Sequence, residues 1–346
     1  MKKIVGIIAA VAMIATTVFA ADISAKVQLE GNLFTYGADK KVTMFDINKP
    51  SAQHWNPIFN LSANGDKAGA SFVVLSGDDD TFGGWNGVKK VGAKNWSIWF
   101  SPADGFKFIF GHNAFNLNQE HITWSKSASG IESDGYAINF ASDGFSIDAM
   151  LAPGLGNPWF SKADGADAAI AETGVKLQFG ADFGTVNAIL DAKANFKDLM
   201  FGAGYANNFD GLNMFVNVLG YMNNGFNKLR AEIYAEGSVD SFGWKIFPVV
   251  EFAPNGFTYD ASMKVNVPLW ARVDFALDAF NVYVEIDDPQ GILLVGKDTN
   301  LDNGDGFIAK VGGSGNCGGA GWDVALKFNV TSKVAISVPV SFNYGW

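Results

Sequence analysis

Apolar and polar residues alternate along the last segment of the chain. From Val334 to Trp346 the even positions are apolar, and the odd positions are small or polar. Side chains alternate across a β-strand with a period of two, so this pattern predicts a strand with one continuously apolar face. From Ile23 to Leu33 the odd positions are mostly apolar and the even ones polar. Both segments are therefore predicted to be amphipathic strands, as closure of a sheet into a barrel requires.

Between these segments, five predicted hairpins are each joined by a short turn that contains Gly with Asp or Asn. These residues tolerate positive φ. The paired runs are 58–63 with 68–75, 96–101 with 106–112, 136–141 with 145–151, 175–179 with 186–190, and 199–205 with 212–219. Longer connections fall between the hairpins, at 37–57, 77–94, 113–135 and 152–173. Short turns at one end and long loops at the other are typical of a transmembrane barrel, whereas a soluble sandwich or propeller has no reason to sort its loops.

The second half of the chain continues the strand pattern with tighter links. Residues 257–267 alternate and predict a strand, and 291–296, 307–311 and 324–330 predict further strands. The apolar parity changes between Arg272 and Ile286, which predicts a tight turn or bulge near residues 278–279. We therefore predict an all-β fold, a transmembrane antiparallel up-and-down β-barrel. The strand count is about 16–20, which suits spanning strands of about 9–11 residues, and it should be even if both termini lie on the periplasmic side.

The first residues predict an export signal. Met1-Lys2-Lys3 is followed by residues 4–20, which carry no charge and are mostly apolar. This arrangement predicts a signal peptide over 1–20, cleaved after Ala20, and a single barrel domain over 21–346. The alternative is a membrane-anchoring helix, but no charged stop-transfer flank follows, and a spanning helix needs about 20 apolar residues. The single cysteine, Cys317, excludes an intrachain disulfide.

The charged residues limit the possible partners and indicate which face of each predicted strand points towards the lumen. The formal net charge of −10 becomes −12 without the two signal-peptide lysines, which argues against nucleic acid as a partner. A Lys or Arg facing lipid near the midplane costs about 2–4 kcal/mol, so charged side chains are expected to face the lumen. The predicted pore-lining residues are Lys228, Arg230, Glu232, Asp260, Lys264, Arg272 and Asp274.

Tryptophans near the predicted strand ends suggest an aromatic girdle at the membrane interfaces. They are Trp96, Trp244, Trp270, Trp322 and Trp346. The alternative interpretation is that they are core tryptophans of a soluble β-protein.

Two local sequence motifs resemble ligand-binding sites. Residues 313–318 match the dinucleotide-binding fingerprint, which requires a following helix; because 324–330 predicts a strand, we interpret the motif as a flexible connector. A second, acidic loop resembles a calcium loop but lacks its glycine and its bidentate glutamate, so a solvated loop is the default and divalent binding the weaker alternative. Its candidate ligands are Asp298, Asn300, Asp302 and Asp305. No spacing singles out a catalytic pair or a cofactor site, so we predict neither enzymatic activity nor a cofactor.

The lysine-led signal peptide, the amphipathic strands, the sorted turns and the terminal aromatic residue together resemble Gram-negative outer-membrane porin-type β-barrel proteins. Trp346 departs from the phenylalanine most common there, and the scarcity of arginine is unlike the best-known trimeric porins; a didermal lineage such as the spirochaetes would fit. The resemblance implies an outer-membrane location, contact with its lipid, and assembly by a barrel-insertion machinery that reads the C-terminal strand. Homo-oligomers are common among such proteins, although no interface pattern stands out here.

These observations predict a porin-like channel for passive diffusion of small hydrophilic solutes or ions, and the net charge favours a weak cation preference. One alternative is an outer-membrane barrel that acts as an adhesin or surface antigen through its long loops. Another is a soluble, secreted β-sandwich.

Overall fold

In the residues that the structure describes, the extended regular elements are β-strands. The computed structural model describes residues 20–37, 39–46, 55–75, 92–112, 134–153, 170–193, 196–257, 261–289, 291, 307–330 and 334–345. The strands are β1 (Ala20–Tyr36), β2 (Val42–Asp46), β3 (Trp55–Asn64), β4 (Ala68–Leu75), β5 (Gly92–Phe100), β6 (Phe106–His112), β7 (Asp134–Ser142), β8 (Phe145–Pro153), β9 (Ile170–Ala181), β10 (Gly184–Lys193), β11 (Asp198–Phe209), β12 (Leu212–Asn223), β13 (Phe226–Val239), β14 (Phe242–Phe252), β15 (Val265–Asn266), β16 (Leu269–Ala276), β17 (Phe280–Asp288), β18 (Phe307–Cys317), β19 (Ala320–Val330) and β20 (Val334–Gly345). Within these ranges, no helix has the length and apolar character needed to cross a bilayer.

The sheet closes on itself. Strands follow one another in antiparallel order from β3 to β20, and β20 pairs with β1 from Gly345 opposite Lys26 to Ile336 opposite Tyr36. Closure gives the backbone groups of both terminal strands a partner, which a wall in hydrocarbon requires. The predicted antiparallel barrel and the predicted pairing of its first and last strands are confirmed.

Two wall strands are interrupted. β2 and β3 both run antiparallel to β1, with Asp46 opposite Asn32 and Trp55 opposite Leu29, so together they cross the wall once. β15 and β16 share β14 in the same way, and Pro268, which has no N–H to donate, lies at their break. With each interrupted pair counted once, the twenty strands of the described residues make eighteen crossings, an even number inside the predicted range.

The turns of the predicted hairpins lie at one end of the barrel, which we call the short-turn end, although the other end also has a tight turn, at Asn224 and Gly225 between β12 and β13. All five predicted hairpins form, and the turns after β13, β16 and β18 lie at the same end as theirs. Positive φ is found where the turn chemistry requires it, for example at Asp210 (50°) and Gly211 (92°). The parity change near residue 278 is a tight turn, in which the Leu277 N–H donates to the Phe280 carbonyl at 2.9 Å. Most of the predicted long loops lie outside the described residues.

The alternation over residues 257–267 does not produce the predicted strand. Only Val265–Asn266 pairs along β14, and a turn with Gly256 at φ 84° follows the end of β14. The Ala253 N–H donates to the Lys264 carbonyl at 2.9 Å and closes this excursion. Gly256 reverses the chain and Pro268 blocks the ladder, so the two residues prevent a long strand.

Residues 313–317 are not the flexible connector that the sequence suggested. They belong to β18 and pair with β19 as far as Cys317 opposite Ala320. Aromatic rings fill the space above the glycines: a Cβ added at Gly312 would lie 2.6 Å from the Tyr283 ring, and one at Gly315 would lie 2.9 Å from the Trp322 ring. Glycine in this strand is therefore a site of close ring packing rather than of flexibility.

The two faces of the wall differ as the alternation predicts, and β14 shows this best. Phe242, Ile246, Val250 and Phe252 are exposed on one face, while the odd-numbered residues between them turn to the other. Ten residue steps of about 3.3 Å, tilted by about 45°, give an apolar height of roughly 25 Å, which matches the hydrophobic band of an outer-membrane barrel. We therefore assign this face to lipid.

An aromatic girdle marks the short-turn end of the lipid-facing surface. Phe179, Phe209, Phe242, Phe275 and Phe280 are exposed beside the turns. Trp322 joins them, with its ring centroid 6.2 Å from that of Phe280. Predicted girdle residue Trp346 lies outside the described residues.

Candidate functional site on the inner wall

Five of the predicted pore-lining residues lie on the inner face. Lys228, Arg230 and Glu232 follow one another at alternate positions of β13, and Arg272 and Asp274 do so on β16. They have the parity opposite to exposed apolar residues such as Leu229 and Ile233 on β13, and Val273 and Phe275 on β16. The structure therefore brings these residues together on one surface, in two clusters that are each centred on an arginine.

The first cluster is buried. Arg230 Nε lies 2.6 Å from Glu232 Oε1, and its Nη1 lies 3.3 Å from Glu251 Oε1 on β14. Lys228 Nζ is 3.0 Å from the same Glu251 oxygen. Asn217 donates to Glu232 Oε2 at 3.3 Å. The side chain of Glu232 is 0% exposed and that of Arg230 only 8%, so water screens this cluster little.

The second cluster is half-buried. Arg272 holds Asp274 bidentately, with Nη2 2.7 Å from Oδ1 and Nε 3.1 Å from Oδ2, and its Nη1 lies 3.4 Å from Glu285 Oε2 on β17. Lys310 Nζ is 2.5 Å from Glu285 Oε1. The guanidinium carbon stacks 3.8 Å from the Tyr283 ring centroid, and the Tyr283 hydroxyl donates to Asp323 at 2.8 Å. Arg272 and Asp274 are each 23% exposed, so this cluster is more accessible to water than the first.

Both clusters share one design. Each pairs its arginine with a carboxylate two residues along the same strand and with a glutamate on the following strand, which a lysine also contacts. Arg230 and Arg272 are the only arginines in the sequence. Each core of two cations and two carboxylates carries no net formal charge, so these groups orient fields across the lumen more than they add net charge to it.

Directly opposed residues form a continuous polar file across the second half of the wall. It runs over six strands through Glu236, Lys245, Arg272, Glu285, Lys310 and Lys327. The file begins two residues from the end of a short turn on β12, at Asn213 opposite Glu236, and reaches β20 near its start, at Ser337 opposite Lys327. Because strands in such barrels are tilted, this line climbs the wall from the short-turn end towards the loop end.

Sequence reasoning missed several members of these clusters. Lys245, Glu251, Glu285 and Lys310 were not among the predicted pore-lining residues. The signal that could have found them is parity, since each shares the face opposite to the apolar positions of its strand, such as Ile246 on β14.

Apolar residues also occupy the inner face. Phe215, Tyr234, Phe247 and Val249 form a buried cluster, and Trp270 packs against it. Trp270 has the inward parity of Arg272, so it does not belong to the lipid-facing girdle in which it was predicted. A second cluster consists of Met150, Ile189, Met200 and Leu219. The inner wall of β8–β14 thus contains apolar patches as well as ion pairs.

The remaining candidates are placed elsewhere. Lys264 is exposed in the excursion between β14 and β15, where its Nζ donates to the Ala261 carbonyl at 3.3 Å, and Asp260 lies outside the described residues. The candidate metal ligands Asp298, Asn300, Asp302 and Asp305 also lie outside them. In the described part of the chain, no group of three or more His, Cys, Asp or Glu residues is arranged to hold a metal ion.

Comparison with known proteins identifies the architecture. No protein-family model and no curated protein matches the chain. Among solved structures, a mutant of the Rh. blastica porin is 15% identical with a TM-score of 0.51, and the match covers 94% of this chain and 100% of that one. Pseudomonas aeruginosa OccK8 (OprE) is 10% identical with a TM-score of 0.56, covering 95% and 99% of the two chains. P. aeruginosa OccK3 (OpdO) is 8% identical with a TM-score of 0.54, covering 94% and 95%. The predicted porin-type barrel fold is confirmed.

Proposed function

We propose that this chain is an outer-membrane channel through which small hydrophilic solutes or ions diffuse passively. The observation that carries the proposal is the separation of faces within a closed wall. β1 pairs with β20, exposed apolar side chains cover the outside, and charged pairs line the inside. A wall of this kind is stable in lipid and offers water and polar solutes a hydrated inner surface. The porin-type fold supports the same location and role.

The inner-wall clusters supply the means of discrimination. Opposed cations and carboxylates set a field across a pore, and this field biases which ions pass. The weak cation preference expected from the net charge remains part of the proposal. The reversal potential across a bilayer with unequal salt on its two sides measures it, and a reversal potential of anion-selective sign would contradict it.

Planar-bilayer recording tests the channel itself. Refolded protein should insert and give stepwise current increments of uniform size. Insertion is checked independently by the mobility shift between unboiled and boiled samples on a gel, which reports a folded barrel. A heat-modifiable, inserted protein that gives no current steps would overturn the channel proposal.

Three further expectations belong to the proposal. The C-terminal strand β20 should direct recognition by the barrel-assembly machinery, and removal of β20 should abolish insertion in cells while secretion continues. Cross-linking in native membranes should test for a homo-oligomer. We expect neither covalent chemistry nor a cofactor.

A further inference from the structure

A cavity lies on the inner wall at the short-turn end of the barrel. It has a volume of about 590 Å³ and is formed by β12, β13, β14, β16 and β17. Its inward-facing lining includes Asn213, Glu236, Lys245, Trp270, Arg272 and Asp274. This volume falls in the range of about 300–1,000 Å³ that is typical of small-molecule sites.

The charged groups of the cavity that lie on β13, β14 and β16 are paired with one another, whereas Asp240, an exposed residue of the turn after β13, also lines the cavity. Arg272 is held by Asp274 and Glu285. Glu236 accepts hydrogen bonds from Tyr234 at 2.7 Å and Asn213 at 3.1 Å, and Lys245 Nζ lies 3.5 Å from it. An ionic solute would have to displace one of these partners and leave its charge uncompensated, which is costly in a partly desolvated site. The paired groups on β13, β14 and β16 therefore disfavour solutes with a net charge.

Hydroxyl groups fit these pairs without breaking them. A hydroxyl donates one hydrogen bond and accepts two, so a single group can accept from Lys245 and donate to Glu236. The side-chain amide of Asn281, which also lines the cavity, can likewise both donate and accept hydrogen bonds. Neutral solutes with many hydroxyls are thus matched to a lining in which donors and acceptors alternate.

Trp270 supplies the apolar side of the same cavity. Its ring is packed from behind by the cluster of Phe215, Tyr234, Phe247 and Val249, which holds it in place. It is also two residues from Arg272 on one strand and therefore lies on the same face. An indole face is an apolar platform with a polar edge, and it suits a ligand that has an apolar C–H face and a polar rim.

We propose that this cavity binds a neutral, polyhydroxylated solute the size of a monosaccharide or disaccharide. The sugar ring stacks on Trp270 while its hydroxyls bridge Glu236, Lys245, Asp274 and Asn281. The inference rests on the proposed channel function and deepens it. Binding at the short-turn end of the pore would retain one class of solute and so make the channel selective.

Calorimetric titration in detergent tests the site without relying on conductance. The probes are maltose, sucrose, the zwitterion valine and the dianion succinate. We expect the two disaccharides to bind and valine and succinate to give no heat. Trp270→Ala should weaken disaccharide binding by roughly tenfold or more, while Trp322→Ala, which removes the same ring from the lipid face, should leave it unchanged.

Asn281→Ala provides a second test if Trp270→Ala does not refold, as judged by gel mobility. It should weaken binding several-fold without disturbing the wall, because Asn281 lies at the start of β17. Three outcomes would overturn the proposal: no binding of either disaccharide to folded protein, binding that survives both inner-wall substitutions, or valine or succinate binding at least as well. If the unsubstituted protein binds sugar but gives no current steps in the bilayer, the channel proposal is refuted and the binding site is supported.

Discussion

The Arg230 and Arg272 clusters are built from the same groups but sit in different surroundings. Glu232, in the first, is fully buried, whereas Asp274, its counterpart in the second, is 23% exposed. The first cluster lies beside the apolar inner patches of β12–β14, and the second borders the cavity. The same pairing scheme therefore has two consequences: breaking the desolvated pair would leave buried charges uncompensated, whereas the accessible pair exposes its charges on the inner surface of the barrel.

Removing each arginine in turn tests most directly whether burial distinguishes the two clusters. Arg230→Ala leaves Glu232 and Glu251 buried without their main cation, which typically costs about 3–5 kcal/mol. Arg272→Ala removes a partly hydrated pair and should cost about 1 kcal/mol. Urea unfolding in lipid vesicles measures both. Equal losses, or a larger loss for Arg272→Ala, would show that burial does not separate the clusters.

The comparison also assumes that both clusters lie on the inside of the wall. Ile246→Lys puts a lysine beside Lys245 but on the opposite face, near the middle of β14. If that face meets lipid, the substitution should reduce the free energy of unfolding by about 2–4 kcal/mol. The same vesicle assay measures it, with Ile246→Leu as the control. A neutral effect would place water against this face and undo the assignment of inside and outside.

A subtler distinction concerns ion selectivity. Arg272→Gln removes an accessible positive charge, and a unit charge at 4 Å in water is worth about 1 kcal/mol, so cation permeability should rise relative to anion permeability by roughly two- to fivefold at low salt. The shift should shrink at 1 M salt, where the screening length is about 3 Å. Reversal potentials in a salt gradient measure it. Lys107, on the inner face of β6 far from either cluster, gives a useful matched control as Lys107→Gln. A selectivity shift no larger than that of the control would argue against a special role for the Arg272 cluster.

The smallest effect is expected where a pair is fully exposed. Lys67 Nζ lies 2.8 Å from Asp104 Oδ1 between two short turns, and this hydrogen bond holds the pKa of Asp104 below its ordinary value. A carboxyl with a lowered pKa stabilises the folded state above its unfolded pKa and loses that contribution as the pH falls through its folded pKa. Lys67→Ala should raise the pKa of Asp104 towards its ordinary value, as followed by NMR titration in micelles, with no measurable change in unfolding at neutral pH. A clear destabilisation at neutral pH would mean that exposure does not determine how much these ion pairs contribute to the free energy of unfolding.

The sequence was sufficient for those parts of the barrel that obey local rules. Turn residues such as Asp210 and Gly211 have conformations that few other residues adopt, so the hairpins could be placed within a few residues. Alternation assigned Arg230 and Arg272 to the inner face because a lipid-facing charge is costly. Both signals arise from neighbours along the chain.

The rest depended on contacts between distant strands. Trp270 was misassigned because an aromatic residue near a strand end fits a girdle and an inner patch equally well. The glycines of β18 indicated a connector because their coverage by Tyr283 and Trp322 comes from neighbouring strands. The alternation over 257–267 indicated a strand because the pattern of apolar residues does not include the effect of Gly256 and Pro268 on strand pairing.

The seam between β1 and β20 determines when this wall can be completed. Lys26 pairs with Gly345 there, so β1, which is synthesised early, cannot complete its pairing until β20 has been synthesised. Until that meeting, one edge of β1 offers unpaired N–H and C=O groups to any other strand, which is the route to aggregation. A chain truncated before β20 would keep this edge unpaired, because no other strand of the described residues pairs with that side of β1.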